Sequence, residues 1–339
     1  MTLLAVGARR RGSEFSYAMQ PLQLIANGTA DSKHYGFPGF VILPSGDWLA
    51  VCRRGTGHNG TNGDPATFGQ IVGFRSTDQG ATWSGATVVQ EDAELDLRDP
   101  TLQLLSDGRL ALLYFTYDWS IPQALDVLLS YSADNGSTWS APETLPFSGT
   151  GALGCSGPVV EPTPGLLMAF GYGNSNNVRV VSSDDNGATW AAEANALTGF
   201  AYGTQEPFAG IRLDGRVEVH LRDIYVNAWT PTYRHRIIRQ PNGTWTAPEI
   251  FAEWTSGRPQ WVTNPTTGHR LATDRKGNHS WNVSASDDDL PRDPTPWTGF
   301  GGGGSQYEQA VPDGTGFVAA VAKTVGVRAN LYWTRWVLQ

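Results

Sequence analysis

Seven residues set the chemical question: Arg53, Arg222, Arg258 and Arg275, with Asp99, Glu206 and Tyr307. Arginine carries a planar, permanently charged fork that grips carboxylates by paired hydrogen bonds, so four of them beside acidic groups suggest a site for an anionic ligand. The seven are scattered along most of the chain, yet each lies close to one of two places defined by a turn glycine. Nine residues before that glycine stand Phe37, Asp99, Gly157 (one residue shorter), Glu206, Arg258 (one longer) and Ser305, with Tyr307 two residues after Ser305. Seven residues after it stand Arg53, Phe115, Tyr172, Arg222, Arg275 and Val321. A purely structural repeat would keep similar residue types at equivalent places. Charges gathered in a partly buried mouth are costly unless they pair or bind something, so a salt-bridged rim and a ligand site are the two readings, and the ligand site is the stronger.

The elements that must position these residues are hairpins. A Pro, an alternating apolar run, a polar turn ending in Gly and a second alternating run recur from residues 37, 99, 157, 206, 258 and 306, around Gly46, Gly108, Gly165, Gly215, Gly268 and Gly314. Period-two alternation and turn chemistry make each a β-hairpin. A shorter phrase follows three of them: RSTDQGATWS at 75–84, YSADNGSTWS at 131–140 and VSSDDNGATWA at 181–191. In it the Asp carboxylate accepts backbone N–H groups across a tight turn, Gly supplies a positive φ, and Trp packs beside the next strand, which gives Asp78 and its copies a structural role. Degenerate versions stand near 242 and 284.

Six units of this length, each with four strands, predict an all-β fold: a six-bladed β-propeller of four-stranded antiparallel blades. Only two strand-like runs follow Gly314, so QPLQLIAN at 20–27 is expected to supply the missing outer strand and close the ring. The expected organisation is an N-terminal arm over 1–18 and one propeller domain over 19–339. In such a ring the two places defined by the turn glycine fall on the same rim.

The chain has 339 residues, 24 basic against 32 acidic, and a formal net charge of −8. That disfavours nucleic acid and anionic membrane as partners. Lys occurs only at 33, 276 and 323, an Arg bias that suits carboxylate recognition and that a GC-rich genome also produces. No apolar run is long enough for a transmembrane helix, so no membrane insertion is expected. The opening MTLLAVGARRR has its apolar stretch before its charges and is too short for a secretory signal. Cys52 and Cys155 are expected as buried free thiols. No dense cluster of His, Cys and Asp is visible, so neither a metal nor a cofactor is expected.

With the repeats in place, the chain from about residue 34 onward resembles the sialidase, or neuraminidase, superfamily, whose repeat is called the Asp-box or BNR repeat. EPFAGIRLDGRVEVHLR is similar to the family's fourth-blade segment, with Glu206 and Arg222 at its two matched positions. Tyr307 in SQYEQAVPDG resembles the Tyr that opens the sixth blade, and Arg275 ahead of NHSWNVSAS fits the fifth-blade Arg. The resemblance implies Tyr307 as nucleophile, Glu206 as its base, Arg222 and Arg275 as clamps on a substrate carboxylate, and a first-blade loop Asp as acid/base. In RRGTGHNGTNGDPATFG that Asp is Asp64, with a plain turn role as the competing reading and His58 as a second proton-transfer candidate. A phenol, with a pKa of about 10, becomes nucleophilic at neutral pH when a carboxylate takes its proton and nearby Arg charges favour the phenolate. Such a Tyr is the sialidase exception to the usual pair of carboxylates.

One departure stands out. The family opens its first blade with Tyr-Arg-Ile-Pro, whereas this chain has YGFP, with Gly36 where the first clamping Arg belongs. Losing that partner costs ~1.5–3 kcal/mol per charged hydrogen bond, and Arg53, Arg54 or Arg258 are the candidates to reach across. The implied function is an exo-acting retaining glycoside hydrolase that cleaves terminal sialic acid or a related acidic sugar from a glycan substrate. Alternatives are an exo-glycosidase of the same fold acting on another sugar such as arabinofuranose, and a non-catalytic glycan-binding propeller such as a virion receptor-binding protein or adhesin. The implied activity favours an extracellular or virion-associated place of action. The presence of both Tyr307 and Glu206 argues against the pure binder.

Overall fold

A computed structural model of the chain describes residues 17–61, 64–147, 153–173, 178–193, 204–223, 233–253, 258–274, 280–284, 305–325 and 328–339. Its strands form antiparallel sheets in chain order. The first holds His34–Ile42, Trp48–Gly55, Gln70–Ser76 and Thr87–Gln90, and the second Asp96–Leu104, Leu110–Asp118, Gln123–Ser132 and Glu143–Thr144. The third runs from Val160–Thr163 to Ala191–Ala192 and the fourth from Thr204–Ile211 to Glu249–Glu253, again with four strands each. The last holds Ser305–Asp313, Gly316–Val325 and Arg328–Leu338. Between these last two lies the sheet Gln260–Thr263, Arg270–Asp274 and Ser280–Ser284, with three strands among the described residues. Of the six four-stranded blades expected, five are present among the described residues, and the remaining sheet has three strands there.

The segment expected to close the ring pairs with the final strand: Gln23 lies opposite Trp333 and Leu24 opposite Tyr332. Tyr17–Met19 extends the same edge, with Tyr17 opposite Leu338. Tyr17 and Ala18, assigned by the sequence to an arm over 1–18, thus pair with the final strand. Tyr17 is buried, and its hydroxyl donates to the Thr315 carbonyl at 2.8 Å.

Hydrophobic cores lie between neighbouring sheets, because each strand sends alternate side chains to opposite neighbours. Leu49 and Val51 join Leu102, Leu110 and Leu112 of the second sheet, whereas Trp48 and Ala50 on the same strand join Val318 and Ala320 of the last. Sheets buried on both faces explain the near-continuous apolar runs of the second strands. Cys52 and Cys155 are free and buried within these cores.

The three repeated turns share one hydrogen-bond pattern. In the first, Asp78 accepts from the Thr82 amide at 2.8 Å, the Thr82 hydroxyl at 2.6 Å and the Ser76 hydroxyl at 2.8 Å, and Gly80 has φ of +89°. Asp134 and Asp185 repeat these contacts with Thr138 and Thr189. Hydrogen bonds from the Thr side chains, above all, hold all three carboxyls down at about 2.

Candidate functional site

The rim residues owe their placement to a backbone irregularity that recurs from sheet to sheet. Phe37, Asp99 and Glu206 have φ of 55°, 51° and 54°, each is followed by Pro, and each sits where the inner strand shifts register. A left-handed conformation in a non-glycine residue costs about 1–3 kcal/mol, so three equivalent instances mark a position held by its surroundings. A bulge there re-aims the side chain at the end of the ladder. The third sheet has Gly157 instead, because a Cβ there would lie 2.9 Å from both Phe208 Cα and the Pro207 carbonyl.

These bulges border a cavity of about 490 Å³ whose lining includes Phe37, Arg98, Asp99, Tyr172, Gln205 and Glu206. Asp99 is buried, and its Oδ1 has no hydrogen-bond partner among the described residues. Burial above all, with the Glu206 charge adding to it, pushes its carboxyl up to about 7 against the opposing pull of Arg98. Glu206 is ion-paired with Arg222 Nε, and Arg222 Nη2 donates to Gln205 Oε1 at 3.0 Å. The rim thus brings Asp99, Glu206 and Arg222 to one region.

Other expected site residues are engaged elsewhere. Arg53 is fully buried, with Nε 2.7 Å and Nη2 2.9 Å from the two oxygens of Asp96 and Nη1 donating to the Gly57 carbonyl at 2.8 Å. Arg258 donates to the Ser156 carbonyl at 2.8 Å and to that of Glu308, tying the segment ahead of the third sheet to the last sheet. Arg54 binds Gln70 Oε1 at 2.8 Å and lines a separate hollow with Lys33 and Asp92. Asp64 lies outside the lining of the rim cavity and caps the short 3-10 turn Pro65–Thr67, accepting from the Ala66 amide at 3.1 Å. His58 packs between His34 and Phe37, with ring centroids 5.5 and 5.2 Å away. Tyr307 is placed by its backbone, which pairs opposite Ala322 just past a register shift. Its neighbour Glu308 is the residue whose carbonyl Arg258 holds. Arg275 lies outside the described residues. No group of three or more potential metal ligands occurs among the described residues.

Over 198 residues the chain is 26% identical to a sialidase of Paraclostridium sordellii, covering 48% of this chain and 47% of that one. Over 210 residues it is 26% identical to a sialidase of Clostridium perfringens, covering 52% and 54%. Over about half its length the chain is thus similar in sequence to sialidases. It spans about half the length of these curated relatives, and no family model matches it. Among solved structures, a Dyadobacter fermentans protein of unknown function superposes with a TM-score of 0.78 at 16% identity, over 95% of this chain and 99% of that one. The NanB sialidase of Streptococcus pneumoniae gives 0.69 at 12%, over 94% and 70%. An α-L-arabinanase of Penicillium chrysogenum gives 0.66 at 13%, over 94% and 98%. These likenesses show a β-propeller fold.

Sequence reasoning missed Arg98, Asp96 and Trp119. Asp96 accepts from Arg53, from the Gly69 amide at 2.8 Å and from Trp119 Nε1 at 2.7 Å. Moving the repeat alignment back by one residue would have found Arg98, which precedes Asp99-Pro100 as Gly36 precedes Phe37-Pro38.

Proposed function

We infer that the protein is an exo-acting retaining glycoside hydrolase releasing a terminal acidic sugar, sialic acid or a relative, from glycans. In this reading the ring is six-bladed and the three-stranded sheet at 260–284 is the fifth blade. The observation that carries it is the convergence of Asp99 and Glu206, two buried carboxyl groups on equivalent bulges, with Arg98 at one cavity. Tyr307 attacks the anomeric carbon as the glycosidic bond breaks, Glu206 takes the phenolic proton, and Asp64 protonates the departing alcohol. Water then attacks the anomeric carbon, restoring the phenol and releasing the sugar. Arg222 serves twice, favouring the phenolate by its charge and gripping the substrate anion. The role given to Asp64 requires its carboxylate to leave the cap it makes in this structure. Asp99, which lines the same cavity, belongs to the substrate-binding surface.

The test is release of aryl alcohol from α-sialic acid, α-L-arabinofuranose, uronic acid and neutral hexose glycosides by wild type and Tyr307→Phe. Cleavage of an acidic glycoside by wild type alone is the expected result. Gly36 favours a second reading, a neutral sugar such as arabinofuranose, and cleavage confined to a neutral glycoside would establish it. Glycan binding without any cleavage would replace both with a non-catalytic propeller.

A further inference from the structure

The missing first-blade arginine leaves a question the fold itself addresses. Gly36 pairs with Arg53, Arg98 with Phe115, and Gln205 with Arg222, each directly before the residue of positive φ. Arg98 is therefore the second-blade counterpart of Gly36. On the first blade a Cβ at position 36 would sit tightly against the His34 ring, 3.1 Å from Cε1 and 3.3 Å from Nδ1.

Arg98 itself is oriented but incompletely bonded. Its guanidinium lies 5.1 Å from the centre of the Phe37 ring, 5.7 Å from that of Tyr117 and 5.8 Å from that of Trp119. These faces hold the cation in place without using its N–H groups. Nη1 reaches Asn59 Oδ1 at 3.3 Å and the His58 carbonyl at 3.5 Å, while Nε and Nη2 donate to no described residue. Asp96 lies 3.7 Å away, beyond hydrogen-bond reach, because its two oxygens already accept from Arg53, Gly69 and Trp119. The fork lines the rim cavity and is about a tenth exposed, at 10%.

We propose that Arg98 is the anchor for the substrate's carboxylate, an arginine displaced one blade round the ring from its usual first-blade position. The inference rests on the acidic-sugar reading and adds the residue that selects it. Arg53 and Arg258 are held by the partners named above, and Arg54 lines a separate hollow.

The experiment is binding of N-acetylneuraminic acid and glucuronic acid, each beside its carboxamide, to the full chain as wild type, Arg98→Gln and Arg98→Lys. Wild type is expected to prefer one acid over its amide by about ten-fold or more, as loss of a charged hydrogen bond implies. Arg98→Gln should abolish that preference by weakening the acid alone, and Arg98→Lys should keep part of it, since it retains charge without the fork. A preference unchanged in Arg98→Gln, or no preference or no binding in wild type, overturns the proposal. Circular dichroism at the assay temperature verifies that the variants are folded; should Arg98→Gln fail to fold, Arg98→Lys at full wild-type preference is the overturning result. Tyr307-dependent cleavage of a neutral glycoside without acid preference would remove the anchor and leave the glycosidase. Acid preference lost in Arg98→Gln without any Tyr307-dependent cleavage would do the reverse.

Discussion

Two arginine-rich regions of this ring look alike in sequence and differ in what their donors face. In the fourth and fifth sheets, Glu218 is fully buried and takes Arg212 Nη1 at 2.5 Å, His220 Nε2 at 2.5 Å and Arg270 Nη1 at 3.1 Å. Arg234 Nη2 lies 2.6 Å from His220 Nδ1. Guanidinium can only donate, so Nδ1 accepts and Nε2 carries the proton that Glu218 receives. Burial, reinforced by the Arg234 charge, pulls His220 down to about 3 and keeps it neutral. Burial alone would raise the Glu218 carboxyl, but His220 and Arg270 hold it well below the usual range. At the rim, by contrast, Arg98 keeps two nitrogens without a described partner and borders a cavity. Arginine marks a binding site through its open donors, and its presence alone does not.

The largest expected effect lies in the sealed cluster. Glu218→Gln takes the shared carboxylate from two buried cations, Arg212 and Arg270, and should cost about 3–5 kcal/mol in denaturant unfolding. A loss below about 1 kcal/mol would mean the cluster is not sealed. Arg98→Gln should cost only roughly 1 kcal/mol, mostly from its ring contacts, while changing ligand preference; an equal cost at both sites would erase the contrast. Asp99 sharpens it through pH. Its carboxyl, raised to about 7 in the folded protein among Arg98, Glu206, Arg258 and Arg53, titrates near its ordinary value of about 3.9 when unfolded. Between those values the unfolded chain has released a proton that the folded chain retains, so stability falls as pH rises from about 4 to 7. Asp99→Asn should therefore melt higher than wild type at pH 8 and close to it at pH 4; identical shifts at both would contradict the raised value. The smallest effect belongs to the repeated turns, where Thr82→Val should lower the melting temperature by about 2 °C or less and leave catalysis untouched.

Much of the ring was legible because its demands are local. Alternation gave the hairpins, Gly46 and its equivalents gave their turns, and counting strands after Gly314 pointed to 20–27 as the closing segment, which indeed pairs through Gln23–Ala26. The rim was legible as a position and not as a set of partners. Spacing put Arg53, Arg222, Asp99 and Glu206 at one end of the ring, but which arginine is neutralised depends on residues distant in sequence. Arg53 is claimed by Asp96, 43 residues away, and Arg258 by the Ser156 carbonyl, 102 residues away. No periodic pattern encodes such pairs. Arg98 escaped notice because the alignment was keyed to the residue that bulges, and the neighbour before it was not compared across blades.

The most direct test of the whole reading is kcat/KM of Glu206→Gln on an aryl α-sialoside, with its melting temperature measured alongside. Gln keeps the shape of the side chain on its bulge and removes the base. The expected result is a fall of about 100-fold or more in the folded variant, with some loss of melting temperature because the buried pair with Arg222 is broken. Cleavage by Glu206→Gln at the wild-type rate would contradict it and take the chemistry away from this cavity.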